Sequence, residues 1–442
     1  MKEKIIDFIR RYPLIIILLL ATCMYIFWSW SPLGVVHSWN EVYYLERTNY
    51  VANGSSYLDW SFDNPPFFVY TLSFLSKFTG INLIAFRLFT IFCTLVTTFV
   101  IYLIGTAIKD KKTGLISSAL YAFFPMNVVF SKILQIEMFG IMLMTLSFYF
   151  AILGTKNRKW FFLSGLFLGL TAFTKIPFAL VFLPIFFYMI HKKTELKFFI
   201  LIIVESVLVL LPWTVYVLIT KPSFLSASSS SSKNFFGLGT MHAKGAPYQT
   251  IMIVLALLVF VSLIIFFWKK KPKSIEEKAL AIFAIVFSLF FVVLPNHEYY
   301  LLPIFVPLLL FLGMIYSKKD KKIKTILILF LVISIIFLAA KPLYDVNWQE
   351  AGDYINKNYP QDTNVSSTNP EVMSYLLSKN VTWLTRDEIS TNNTILAFTF
   401  YDKITFDALN MTKFIEENFV LLKNFDNKIF VYGSKDLVET TQ

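Results

Sequence analysis

Several ionisable side chains stand apart in this 442-residue chain because of where they fall. Glu41 and Asp63 lie in a polar stretch between two apolar runs, Glu137 opens a third, and Arg87, Lys175 and His297 lie inside or between runs nearly bare of other charge. A carboxylate can draw a proton from an attacking hydroxyl, and Arg, Lys or His can hold a phosphate through charge-assisted hydrogen bonds. Brought to one face, such groups suit attack on a phosphate-linked substrate. Taken singly they have plainer explanations: loop acids are solvated, Glu137 suits the positive end of a helix dipole, and Arg87 can snorkel. The elements that carry them decide between these readings.

Those elements are membrane spans. Hydrophobic residues make up 56% of the chain and mean hydropathy is +0.63, against roughly 45–50% apolar in soluble proteins. Apolar runs recur at 13–30, 84–107, 114–130, 137–153, 160–174, 177–190, 198–219, 250–267, 279–295, 300–316 and 325–340. Their lengths approach the ~20 residues that cross hydrocarbon, which predicts an all-α polytopic membrane protein with about eleven transmembrane helices. The weak ten-residue alternation of a membrane barrel is not the pattern here.

The net charge of +12 is not spread as in a nucleic-acid-binding protein. It gathers in every second connector: Lys2 to Arg11, Lys109 to Lys112, Lys156 to Lys159, Lys192 to Lys197, "KKKPKSIEEK" at 269–278 and "KKDKKIK" at 318–324. The alternate segments, 31–66, 131–136, Lys175, 220–248 and 295–299, are poor in cations. Basic loops mark the cytoplasmic side, so the N-terminus is expected inside a plasma membrane and the sparse loops outside. An odd number of spans puts the tail after Pro342 outside as well. The first run lacks a small-x-small cleavage site before "FWSWSP" and reads as a retained span. Cys23 and Cys93 fall in spans, and the chain has no phosphate-binding P-loop, GxGxxG or HExxH motif.

Hydropathy breaks near residue 341. Residues 1–342 form the expected membrane domain, with the loop at 31–66 helical at the interface, and the serine run 226–232 a mobile spacer. Residues 343–442 are expected to form a small extracytoplasmic α/β domain. In it "EAGDYINKNY" is helical, "NVSST", "VTWLT" and "TILAFTF" are strands, and "FVLLKNFDNKIFVYG" is a hairpin turning at Asp426-Asn427.

In order along residues 39–315, "WNEVYYLE", "FDNPPFFVY", "INLIAFRLF", "LQIEMFGIMLMTLSFY", "LTAFTKIPFAL", "LPWTVY" and "HEYYLLPIFVPLLLFLG" resemble the motifs of the glycosyltransferase C superfamily. The likeness is to its protein O-mannosyltransferase and aminoarabinose transferase group. In that family an Asp-Glu pair in the first external loop precedes an aromatic and a Glu-Lys-Pro-Pro-like turn. Asn40 and Glu41 stand where the pair would, and Asp63-Asn64-Pro65-Pro66 matches the turn. By the same resemblance Arg87 matches an arginine of the second span, Glu137 the acid opening the fourth, Lys175 the cation of a Lys-Gly-Pro-like turn, and His297 to Tyr300 the last external motif.

The resemblance implies inverting transfer of a sugar from a polyprenyl phosphate, dolichyl or undecaprenyl, to a protein, lipid or glycan acceptor at the outer face. Glu41, with Asp63 second, is the expected base. Asn40, Tyr44, Arg87, Glu137, Lys175, His297, Tyr299 and Tyr300 form the expected substrate-binding set, with Trp39 and Tyr43 further stacking aromatics. No cofactor is expected, and no ligand cluster indicates a divalent metal. Two other classes remain: a noncatalytic sugar-lipid binder, favoured by Asn40 in place of an acid, and a secondary transporter, for which Glu205 in "IVESVLVLLPW" is the one mid-span acid.

Overall fold

The computed structural model describes residues 11–27, 39–57, 64–220, 261, 264, 267–268, 271–293, 301–316, 348–360, 362–367, 373, 376–377, 381–383, 393–399, 411–425 and 429–441. The chain is largely α-helical. It divides into two compact units, one of Met1–Trp28, Tyr50–Gly80 and Ala85–Leu338, the other of Ser29–Asn49, Ile81–Ile84 and Ala339–Gln442. Hydropathy alone groups Ser29–Asn49 with the membrane domain; the compact units group it with the C-terminal residues.

The helices are α1 Pro13–Phe27, α2 Trp39–Ala52, α3 Phe67–Thr79, α4 Leu83–Ile108, α5 Lys111–Ala122, α6 Pro125–Phe130, α7 Ile136–Gly154 and α8 Trp160–Thr174. After a 3-10 turn at Ile176–Val181 come α9 Phe182–His191, α10 Leu196–Thr220, α11 Ile275–Val293 and α12 Leu302–Tyr316. Among the described residues only α4, α7 and α10 are long and apolar enough by themselves to cross a membrane. Against an expected count of about eleven transmembrane helices this is a correction, and its reason is local.

Proline breaks one of the expected runs and opens another in a 3-10 turn. The run 114–130 divides because Pro125 disfavours helix at Phe124, which is extended at φ −68° and ψ 129°, and Pro125 then opens α6. Likewise Pro177 sits in the first turn of the 3-10 segment that follows an extended Lys175. Runs 13–30, 160–174 and 300–316 form shorter apolar helices. The runs at 250–267 and 325–340 fall almost wholly outside the described residues. Helix α3 had no counterpart among the apolar runs.

Helices α7 and α8 are antiparallel neighbours, because Glu137 meets Lys175, Ser147 meets Ser164 and Gly154 meets Phe161. The two serine hydroxyls each donate to the other's backbone carbonyl, at 2.9 and 3.0 Å, a polar tie across an otherwise apolar interface. On its other side α8 runs parallel to α10, since Phe161 stacks on Phe198, Gly165 faces Ile202 and Gly169 faces Ser206. The Gly165-x-x-x-Gly169 pair permits this approach: a Cβ on Gly169 would lie 2.7 Å from that of Val209. Helix α12 packs on α5, with Gly313 against Ser117.

The basic connectors share one end of these helices. Arg158 bonds Glu195 at 2.5 Å and Lys192 bonds Glu276 at 2.5 Å, linking the segments before α8, α10 and α11. Burial opposes ionisation of Glu276, yet the Lys192 ammonium holds its carboxyl below the usual range. Cys23 and Cys93 are both free thiols.

In the C-terminal residues, α13 Trp348–Asn358 precedes β1 Asn364–Ser367, β2 Val381–Trp383 and β3 Thr394–Thr399; α14 Met411–Asn418, β4 Phe419–Phe425, β5 Ile429–Ser434 and α15 Lys435–Thr441 follow. The sheet order is β2-β1-β3-β5-β4, with β1 parallel to both neighbours and β5 antiparallel to β3 and β4. Each expected strand is present, and β4 and β5 form the expected hairpin; its turn at 426–428 lies outside the described residues. Leu396, Phe398, Ile415, Phe419, Phe430 and Tyr432 form its core, with Phe398 stacked 5.4 Å from Tyr432.

Candidate active site

The residues Arg87, Glu137 and Lys175 lie at the helix ends opposite the basic connectors, and an aromatic hub gathers those ends. Phe139, one half-turn beyond Glu137, packs its ring 5.5 Å from Phe67, 5.6 Å from Phe68 and 5.5 Å from Phe89. Phe67 in turn stacks 5.5 Å from Phe173. Each ring is a near sequence neighbour of a chemical residue: Phe89 of Arg87, Phe173 of Lys175, and Phe67 of the Asn64-Pro65-Pro66 turn. Packing of apolar rings therefore places the polar groups.

Within this end Lys175 Nζ donates to Glu137 Oε1 at 2.5 Å, with both side chains almost wholly buried. The antiparallel return of α8 along α7 brings the two together from 38 residues apart. Lys175 caps α8 in an extended conformation, its backbone N–H still bonded to Thr171 O at 2.9 Å, so its side chain leaves the helix axis. Its ammonium also lies 5.4 Å from the Phe178 ring centroid, and Phe178 is seated against Gly140, where any Cβ would fall 2.6 Å from the ring. The anion held by Lys175 here is thus the carboxylate of Glu137, where the sequence suggested a substrate phosphate. Arg87 is 1% exposed in the early turns of α4.

The turn before α3 is fixed from outside. Tyr57 donates its hydroxyl to Asn64 O at 2.9 Å, while its ring packs on Tyr70 and Trp213, both 6.1 Å away. The Ser56 and Tyr216 hydroxyls share a further bond at 3.4 Å. Trp213 and Tyr216 of "LPWTVY" thus clamp this turn.

Glu41 belongs to the other compact unit and is fully buried on α2, as are Tyr44, Leu45 and Thr48 on the same helical face. Asn40 is half-buried. Arg47, absent from the expected site set, is 2% exposed with its guanidinium 3.4 Å from the Tyr43 ring centroid. The signal that could have found it is the spacing, since Tyr43 and Arg47 stand four apart on one helix. Lys132 and Gln135, in the connector before α7, are also buried and were passed over. Asp63, His297, Tyr299, Tyr300 and the Trp39 side chain lie outside the described residues. Among the described residues no cluster of three His, Cys, Asp or Glu side chains is placed to hold a metal ion.

A buried cation, a buried ion pair and an aromatic hub thus lie at one end of the helical body of a polytopic membrane protein, whose fold is shared with solved membrane-protein structures. The family model for dolichyl-phosphate-mannose-protein mannosyltransferase matches residues 63–219, the stretch that holds the hub. The crystal structure of ArnT from Cupriavidus metallidurans bound to undecaprenyl phosphate superposes with a TM-score of 0.57 at 13% identity, over 96% of this chain and 98% of that one. The archaeal oligosaccharyltransferase AglB from Archaeoglobus fulgidus, in complex with an inhibitory peptide and a dolichol-phosphate, gives 0.57 at 12% identity, over 89% and 70%. A second structure of the Archaeoglobus fulgidus oligosaccharyltransferase, with Zn and sulfate, gives 0.53 at 12% identity, over 95% and 73%. A search of curated protein sequences finds no match.

Proposed function

We propose that this protein is a membrane glycosyltransferase that moves a sugar from a polyprenyl phosphate to a protein, lipid or glycan acceptor at the extracytoplasmic face, with inversion. The observation that carries the reading is a fold matching, almost end to end, one crystallised with undecaprenyl phosphate. The buried Arg87 and the Glu137–Lys175 pair within the family-matched stretch support it. A cytoplasmic N-terminus and outward-facing loops belong to the same proposal.

In the reaction Glu41 takes the proton of the acceptor hydroxyl as its oxygen attacks the anomeric carbon, and the bond from that carbon to the phosphate oxygen breaks with its electrons. Arg87 and His297 stabilise the leaving phosphate as its charge grows. Lys175 has three donors, one given to Glu137, and reaches the phosphate only by sharing its ammonium. Tyr44, Tyr299 and Tyr300 line the sugar.

The test is transfer by purified protein from an undecaprenyl-phosphate-linked hexose. Glu41→Gln should lower turnover by ~10²-fold or more while donor binding survives. Full turnover in Glu41→Gln with none in Asp63→Asn would move the base to Asp63. Asn40, where the family has an acid, favours one other reading, a noncatalytic binder. Wild type that binds donor but is inert with every acceptor would establish that reading.

A further inference from the structure

Gln135 occupies the N-cap position of α7, two residues before Glu137, with an extended backbone at φ −141° and ψ 148° and no side-chain bond to the helix it precedes. The residue is 4% exposed, yet among the described residues its Oε1 has no hydrogen-bond donor. An unsatisfied buried acceptor costs about 1–3 kcal/mol, so such atoms in native proteins call for a partner of another kind. The atom lies at the end of α7 that carries the Glu137–Lys175 pair and the Phe139 hub.

The chemistry of the missing partner follows from the atom. An amide oxygen only accepts, so it repels phosphate oxygens and takes an O–H or N–H. In a site that handles a sugar, the O–H groups come from the sugar or from the acceptor. We propose that Gln135 Oε1 accepts a hydrogen bond from a hydroxyl of the donor sugar and so sets which sugar the enzyme takes. The inference rests on the transferase reading. A buried acceptor built to meet one hydroxyl discriminates strongly against a sugar lacking it, because the deoxy sugar leaves the oxygen unpaired.

The experiment measures binding of two probes without acceptor: undecaprenyl phosphate, and undecaprenyl phosphate carrying a hexose, with its monodeoxy analogues. Gln135→Met keeps length and apolar bulk but removes the acceptor. Gln135→Glu keeps an acceptor and reports if the Met variant fails to fold. The expected result is that the affinity added by the hexose falls by ~10-fold or more in Gln135→Met and is retained in Gln135→Glu. Binding of bare undecaprenyl phosphate should be equal in all three proteins. At least one monodeoxy analogue should bind wild type as weakly as the hexose binds Gln135→Met. An unchanged hexose increment in Gln135→Met, with greater stability, would overturn the proposal in favour of a purely structural amide. An unchanged increment with a raised KM for the acceptor would overturn it in favour of an acceptor hydroxyl. Wild type that binds neither probe would overturn the transferase reading itself, and this inference with it.

Discussion

Removing one partner of the Glu137–Lys175 pair should destabilise the protein far more than removing both. At 2.5 Å and an effective dielectric of about 20 the attraction is about 6–7 kcal/mol. The side chains are only 4% and 6% exposed, so each ion has also given up several kcal/mol of hydration, which offsets most of that gain. Lys175→Met or Glu137→Gln alone then strands or unbalances a buried charge site, at a cost of about 3–5 kcal/mol for the lysine change. The double variant should return to within about 1 kcal/mol of wild type, a positive coupling that surface pairs do not reach. Equilibrium unfolding in mixed micelles, followed by Trp fluorescence on all four proteins, measures the cycle. Additive single effects, or a Lys175→Met cost below about 1 kcal/mol, would refute the buried pair and restore Lys175 as a cation reserved for phosphate.

Other outcomes follow from single contacts. Asp110 accepts the Thr113 N–H at 2.7 Å to cap α5, so Asp110→Ala should cost about 1 kcal/mol. That N–H first, and Lys109 and Lys112 further, hold the Asp110 carboxyl below its ordinary pKa of ~3.9. Its contribution is therefore complete above that value and lost as pH falls through the lowered one; Asp110→Asn should keep the cap and flatten the acid limb of a stability profile. Gly169→Leu should part α8 from α10, since even the Cβ would fall 3.0 Å from Ser206 O, and lower thermal stability in detergent by the equivalent of about 1–3 kcal/mol or more. Single cysteines placed at Ser230 and at the exposed Lys357 should label from outside intact cells, and those at Lys112 and Lys270 should not; external labelling at Lys270 would sink the one-face topology.

Much of the fold was legible because it depends on local pattern. Runs of apolar residues, the alternation of basic connectors and period-two strands such as "TILAFT" carry their meaning within a window of about ten to twenty residues. The physical grouping of basic connectors through Arg158–Glu195 and Lys192–Glu276 agrees with the alternation read from charge. The proline break at Pro125 was visible too, but hydropathy averages across it and so overstated the number of intact helices. Arg47, Lys132 and Gln135 escaped notice because a cation or amide in a connector ordinarily faces water, and nothing in the neighbouring sequence says that these are buried.

By itself the sequence determined the solvent, the class of fold and the short list of groups able to do chemistry, since each follows from residue type and near-neighbour order. Only the tertiary structure decided what those groups meet. Lys175 finds Glu137 because α8 doubles back along α7, and Phe139 becomes a hub because two other helices, α3 and α4, bring three rings to it. Hydropathy assigns every phenylalanine the same value, and Coulomb attraction depends on a distance between residues 38 apart in the chain. Such a distance is set by the packing of whole helices, which no local window of sequence contains.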